Sequence, residues 1–221
     1  MSVVDLTDSR AATDALLGIL KQGRWRPRAL AGFLRLAARR SLRQAARRPR
    51  ALGEATLLHG LLLAVARDRD GRAWVATSWT LTVLHLGLLE QRDRLSPADA
   101  LTLLRGNLPA TAIGSCRWSG LLALTSDLAD GRLARRRATV SPFGDYAGSL
   151  ADAAFWTWLV LRHEPSCTGQ AAAIASWAAP VVTVTAVAVR RGTMPERPRP
   201  ALLRPAAAMQ AVLALRHILR R

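Results

Sequence analysis

Lysine, tyrosine and cysteine are nearly absent from this chain. Of 32 basic side chains only Lys21 is lysine, and 221 residues hold one tyrosine, three phenylalanines and two cysteines. Cys116 and Cys167 stand at no metal-ligand spacing and offer no disulfide framework. Both are expected to be small buried residues, as free cysteines usually are. No Gly-rich phosphate loop occurs, and no Ser/His/Asp arrangement. His59, His85, His163 and His217 lack partners at ligand spacing and read as packing or interfacial residues. No long run alternates apolar and polar residues with period two, which argues against a sheet. The first twenty residues carry acids and no apolar run with a basic flank, so no cleavable signal peptide is expected.

What remains is rich in Ala, Leu and Arg. Half the residues are hydrophobic, mostly Ala, Leu and Val with seven Trp. Ala and Leu are strong helix formers, and the expectation is an all-α protein. The length allows one or two domains with a sizeable core. The formal net charge is +17. An arginine excess of this kind accompanies GC-rich coding sequence; it also suits a surface that meets phosphate, on lipid or on nucleic acid.

Charge and hydropathy divide the chain near Pro49. Residues 1–23 read as a polar lead-in with one amphipathic turn. Residues 24–50 interleave arginines (Arg24, Arg28, Arg35, Arg39, Arg43, Arg47) with Trp25, Leu30, Phe33, Leu34 and Leu42. A helix from about Arg28 sets Leu30, Phe33, Leu34, Ala37 and Leu42 to one side, a pattern suited to an anionic membrane surface. Residues 1–50 are therefore expected to be a basic amphipathic arm, and 51–221 a membrane-embedded domain.

Beyond Pro49, uncharged stretches recur between charged breaks: 55–66, 73–89, 108–126, 146–161, 170–189 and 205–215. A bilayer span needs roughly 20 apolar residues. Residues 170–189 meet this, and 73–89 nearly do. Trp74, Trp118, Trp156 and Trp158 lie near run ends, as in an interfacial aromatic belt. The expectation is a polytopic membrane bundle of about six helices. The basic arm, Arg132–Arg137 and the basic 190–204 loop would lie on the cytoplasmic side. Arg220 and Arg221 agree less well with that topology.

The chemistry concentrates in Asp127-Leu-Ala-Asp-Gly-Arg-Leu-Ala-Arg135, followed by Gly144 and Asp152. Asp127 and Asp130, at i and i+3, share a helix face. Gly131 removes a side chain where a phosphate could approach, and Ala134 keeps that face open. Ser141 to Gly144 breaks the chain, and a second helix is expected to begin near Asp145. Asp152 then lies two turns inside an apolar helix, where an acid is costly and faces a bundle interior. Three carboxylates converging near a helix pair suit Mg²⁺ or Mn²⁺.

This spacing resembles the signature of the CDP-alcohol phosphatidyltransferase family, D-x2-D-G-x2-A-R-x8-G-x3-D-x3-D. Seven of its eight positions match across 26 residues: Asp127, Asp130, Gly131, Ala134, Arg135, Gly144 and Asp152. The remaining aspartate falls at Gly148. Thr102-Leu-Leu-Arg105 also looks like the start of that family's first core helix, although the chain from Arg105 to Asp127 is short for a hairpin crossing twice. The resemblance implies an integral membrane enzyme that moves a substituted phosphate from a CDP-linked lipid donor to an alcohol and releases CMP. It implies two divalent ions bridging aspartates and diphosphate. Asp127, Asp130 and Asp152 would be metal ligands, with Asp152 a ligand or the catalytic base. Gly131, Ala134, Arg135 and Gly144 would line the CDP pocket. A homodimer is compatible with the family, and the expected location is a bacterial cell membrane with the site facing the cytoplasm.

Gly148 leaves a two-metal site one carboxylate short. Asp145 is the nearest substitute and shares a face with Gly148 and Asp152, but one turn is about 5.4 Å of rise, far for a simple replacement. A water in place of the carboxylate, or a single-metal site, is the other expectation. Two rivals follow: a non-catalytic homologue that keeps the fold, and a soluble Arg-rich nucleic-acid binder, for which no recognition motif is present.

Overall fold

The computed structural model describes residues 3–195 and 200–219, and these hold nine α-helices and no strand. The basic loop expected at 190–204 lies partly outside the described residues, and Arg220 and Arg221 lie wholly outside them.

The N-terminal region is more ordered than its polarity suggested. Asp8 caps α1 (Ser9–Gln22) by accepting from the Ala11 N–H at 2.7 Å, and Ala12, Leu16, Leu17 and Leu20 are buried at helical spacing. Helix α2 (Pro27–Ala46) starts at a proline, whose missing N–H costs nothing in a first turn. Its predicted apolar side is not a packing face. Leu30, Leu34 and Leu42 are about half exposed or more, whereas Arg40, Gln44 and Ala45 are buried. The arm packs through polar atoms instead: Gln44 Nε2 and Arg40 Nη2 each donate to the Leu6 carbonyl at 3.3 Å.

Helices α3 (Pro49–Ala64) and α4 (Arg69–His85) form an antiparallel pair. Leu62, Val75 and Ala110 are buried between them and the following turn. His59 is buried there too, with one ring nitrogen on the Ala55 carbonyl and the other on Ser78. It is the packing residue expected. A 3₁₀ turn (Leu86–Leu89) leads to α5 (Pro97–Gly106), a helix of only ten residues. Two further 3₁₀ turns fill 108–115, so the short segment before Asp127 cannot cross a bilayer twice.

Helices α6 (Ser119–Arg136), α7 (Pro142–His163), α8 (Cys167–Arg191) and α9 (Pro200–Leu219) enclose the main core. Ala123, Phe155, Trp156, Leu159, Val160, Ala173, Trp177 and Leu213 are buried in it together. Ser141 caps α7 through the Gly144 N–H, so this helix starts at Pro142, one turn earlier than expected. Small residues set the crossings. A Cβ on Gly106 would lie 3.1 Å from Ala151, and one on Gly120 would lie 3.0 Å from Ala214 Cα. Cys116 and Cys167 are exposed rather than buried, because both stand at element ends and outside the core.

Six spans were expected; among the described residues only α8 is long and apolar enough to cross a membrane. The others are short or charge-interrupted, as α5 and α6 show. Helix α8 is mostly unburied by the protein, and large apolar side chains are also exposed on α3 (Leu57, Leu61), α6 (Leu121, Leu122) and α9 (Val212, Leu215). An apolar surface on that scale marks contact with lipid or another protein.

Candidate active site

The site is built on three helices, α5, α6 and α7. Helix α5 begins with a reciprocal capping box: Asp99 N–H donates to Ser96 Oγ at 3.1 Å, and Ser96 N–H donates to Asp99 Oδ2 at 2.7 Å. Thr102 and Arg105 follow at three-residue spacing and face the same neighbours. Gly106 lets α7 approach within contact of Ala151, next to Asp152. Asp127 and Asp130 come from α6 on one face.

At the centre is Arg105, only 1% exposed. Its guanidinium meets three carboxylates. Nη1 lies 2.6 Å from Asp130 Oδ2, Nε lies 2.9 Å from Asp152 Oδ1, and Nη2 lies 3.0 Å from Asp127 Oδ1. Only the contact with Asp130 is aligned as a hydrogen bond; Nε and Nη2 are buried and attract their aspartates by charge without that alignment. Thr102 Oγ1 stands 2.6 Å from Asp130 Oδ2 and 3.1 Å from the Ala98 carbonyl. With one proton to give, it serves the nearer, charged acceptor best.

The three aspartates differ in access. The Asp130 side chain is a tenth exposed, that of Asp152 about a quarter, and that of Asp127 about half. The cluster therefore opens on the Asp127 side, where Arg132, Arg135, Arg136 and Arg137 are exposed. Arg135 folds back over Gly131, whose added Cβ would lie 3.3 Å from Arg135 Nη1. Ala134 is half-buried one turn on.

A Cβ on Gly144 would meet Asp99 Oδ1 at 3.4 Å, at the opposite end of α5. Asp145 is half-buried in the first turn of α7, and Arg105 takes its ion pairs from Asp127, Asp130 and Asp152. At Gly148 an added Cβ would find Arg105 Nη2 at 3.9 Å and nothing nearer.

Sequence reasoning placed Thr102 and Arg105 on a core helix but did not see them as parts of the site. No local signal marks Arg105: its neighbours Leu104 and Gly106 lie on other faces of the helix, and its carboxylate partners are 22 or more residues away.

A cavity of about 500 Å³ flanks the other side of α5, between α4, α5 and α7. Trp74, Leu81, Leu103, Tyr146 and Leu150 line it, and Thr102 contributes to both cavity and carboxylate cluster. Trp74 Nε1 donates to the Gly106 carbonyl at 2.9 Å, and His85 stacks on Tyr146 at 4.0 Å, so its walls are fixed.

Among the described residues no group of three or more His, Cys, Asp or Glu side chains is arranged to hold a metal ion; the three carboxylates gather on the Arg105 guanidinium instead. Residues 98–219 match the family model of CDP-alcohol phosphatidyltransferase, a match running from α5 to the end of α9. No curated protein and no solved structure matches the chain.

Proposed function

The chain belongs to the CDP-alcohol phosphatidyltransferase family, and we propose that it transfers a phosphatidyl-type group from a CDP-linked lipid donor to an alcohol, releasing CMP. The observation that carries this is the convergence of Asp127, Asp130 and Asp152 on one buried point, at the helix positions of the matched region. Membership implies a CDP-alcohol substrate. The apolar cavity beside Thr102 supports a lipid partner, because it offers an acyl-sized space walled by apolar and aromatic side chains. Helix α8 and the exposed apolar faces of α3, α6 and α9 support a membrane location.

The family typically uses divalent ions, and for Asp127, Asp130 and Asp152 to hold Mg²⁺ or Mn²⁺ they would have to turn from their present pairing with Arg105. When bound, a divalent ion neutralises charge on the leaving phosphate and helps align an in-line displacement. The chain's own residues do the rest. The acceptor oxygen forms a bond to the lipid-linked phosphorus as that phosphorus releases the CMP oxygen. Asp152, half-buried and facing the cluster, takes the acceptor's hydroxyl proton. Arg105 fixes the three carboxylates in register. Thr102 holds Asp130 so that its orientation does not drift. Arg135, lying over Gly131 at the open side, meets the donor's phosphates. Helices that must hold diphosphate and lipid together at a membrane surface need a basic rim, and Arg132–Arg137 provide it.

The test is CMP release by the purified full chain from CDP-diacylglycerol with Mn²⁺ and a panel of alcohol acceptors. Asp127→Asn is expected to lower the rate about a hundredfold to a thousandfold, since a metal centre supplies several kcal/mol of charge stabilisation. No CMP release with any acceptor defeats the enzymatic reading. Gly148 favours one rival, a non-catalytic member of the family. Activity that rises from zero in Gly148→Asp identifies that rival.

A further inference from the structure

We infer that α2 is an interfacial helix: its exposed face docks on an anionic lipid surface, at the level where α8 leaves the bilayer. The inference goes beyond the transferase reading and rests only on the membrane location that α8 supports. It concerns residues outside the matched region 98–219, and so a feature of this chain rather than of the family model.

Two rows of side chains run along α2. Leu30, Leu34, Ala38 and Leu42 recur every fourth residue, and all are exposed. Arg35, Arg39, Arg43 and Arg47 recur in the same way one residue on, about 100° round the helix, and are exposed too. This layout suits a bilayer surface. The apolar row sinks below the headgroups, and the arginine stems lie along it and carry their guanidinium groups to lipid phosphates. Arg43 and Arg47 share Asp5, whereas Arg28, Arg35 and Arg39 form no ion pair among the described residues.

The rest of the protein fixes where this face lies. The turn from α1 to α2 is tight, since Gly23 leaves no room for a Cβ against Ala29. Helix α1 in turn is tied to the C-terminal end of α8. Lys21 Nζ donates to the Arg191 carbonyl at 3.1 Å, and the Asp14 carboxylate accepts from the Met194 N–H. Arg190 and Arg191 at that end are exposed. Among the described residues α8 alone is long and apolar enough to cross a membrane. Its basic end then lies among the headgroups, and α1 holds α2 beside it.

Charge selects the occupant. A second copy of the chain would bring the same arginine row and a net charge of +17. A nucleic acid would meet the arginines and leave the leucine row in water. Anionic lipid satisfies both rows.

The experiment is spin-label accessibility on the full chain in lipid nanodiscs. The background carries Cys116→Ser and Cys167→Ser, and Leu34→Cys, Arg39→Cys or Val182→Cys is added singly. Val182 is exposed on α8 and reads the membrane location itself. In nanodiscs of phosphatidylcholine with phosphatidylglycerol, labels at 182 and 34 are expected to meet oxygen more than a water-soluble nickel complex. The label at 39 is expected to show the reverse. In pure phosphatidylcholine the label at 34 is expected to move toward water. Arg28→Gln, Arg35→Gln and Arg39→Gln together should have the same effect in the anionic nanodiscs, at an unchanged melting temperature.

A label at 34 that stays in water beside anionic lipid overturns the inference. Equal burial in neutral lipid also overturns it, because the arginines then have no part. A label shielded from both reagents identifies a second copy as the occupant, and one that responds to duplex RNA instead of lipid identifies a nucleic acid; either overturns the inference. A label at 182 in water overturns the membrane location and the docking together, whereas 182 in the bilayer with 34 in water overturns the docking alone. CMP release is not read, so the proposed reaction stands or falls separately.

Discussion

The two ends of α5 carry buried arginine–aspartate clusters that solve opposite problems. At the N-terminal end, Asp99 meets one arginine: Arg92 Nη1 lies 3.0 Å from its carboxylate, and Arg92 Nη2 donates to Ser141 Oγ at 2.6 Å. The capping box takes up more of Asp99, with Ser96 N–H donating to Oδ2 at 2.7 Å. Charge is balanced one to one, and the cluster ties the start of α5 to the start of α7. At the C-terminal end, three aspartates surround one arginine, and two of its buried nitrogens lack aligned acceptors. Arg92 Nε is also buried without an aligned acceptor, so the two clusters differ in charge: one is balanced, and the other carries two carboxylates in excess of its arginine. Counting charges across both clusters separates architecture from chemistry where burial alone does not.

The largest effect should come from removing the one cation of the acid-rich cluster. Arg105→Gln leaves three carboxylates around a buried neutral side chain, and breaking a buried ion-pair group costs about 3–5 kcal/mol. The expected outcome is a large fall in melting temperature in detergent, with Mn²⁺ restoring more stability than it adds to wild type. A variant as stable as wild type without metal would place Arg105 outside the charge balance. Asp152→Asn should act on rate rather than on folding. It keeps shape and removes the proton acceptor, and such groups contribute about 10²–10⁴-fold. CMP release measured against an unchanged melting temperature checks this.

Much of this contrast was legible in the sequence, and the reasons it stopped are physical. Asp127 and Asp130 are three residues apart on one helix, so their shared face follows from helical geometry alone. The shortness of the 105–127 segment likewise showed that its hairpin would not cross fully, and α5 with its 3₁₀ turns bears this out. Arg105 was different. Its partners lie 22 or more residues away, and nothing local announces that an arginine joins them. Helix α2 keeps Leu30, Leu34 and Leu42 exposed on its apolar side, and what its sequence did not announce is the opposite side. Its amphipathic pattern is real, but the neighbouring chain offers Val4 and Leu6 carbonyls instead of an apolar groove, so Arg40 and Gln44 turn inward. The span count failed because uncharged composition over about a dozen residues does not distinguish a membrane helix from a buried one.

The balanced cluster should break in the other way. Asp99→Ala leaves the Ser96 hydroxyl cap but removes the carboxylate that accepts from the Ser96 N–H and pairs with Arg92, and a lost hydrogen bond to a charged group costs about 1.5–3 kcal/mol. Melting temperature should fall while the folded fraction still releases CMP at near the wild-type rate. Loss of CMP release at full stability would mean that the clusters at both ends of α5 serve the reaction.

The smallest effect is the most informative about Thr102, which belongs to both the cluster and the cavity. Thr102→Val keeps shape and apolar contact with the cavity but deletes the 2.6 Å contact with Asp130. A hydrogen bond to a charged group contributes about 1.5–3 kcal/mol, yet Asp130 keeps Arg105, so most of its charge compensation survives. The loss should therefore appear as a roughly tenfold weaker Mn²⁺ affinity, the lower end of what orienting partners contribute to a metal site. The affinity for the lipid donor should hold, because the methyl groups still face the cavity. Thr102→Ser, which keeps the hydroxyl and trims the methyl, should show the reverse pattern: Mn²⁺ affinity near wild type and a raised KM for the donor. If both variants weaken metal and donor alike, the cavity and the carboxylate cluster are one site; if they split, the hydroxyl serves the ion and the methyl serves the lipid.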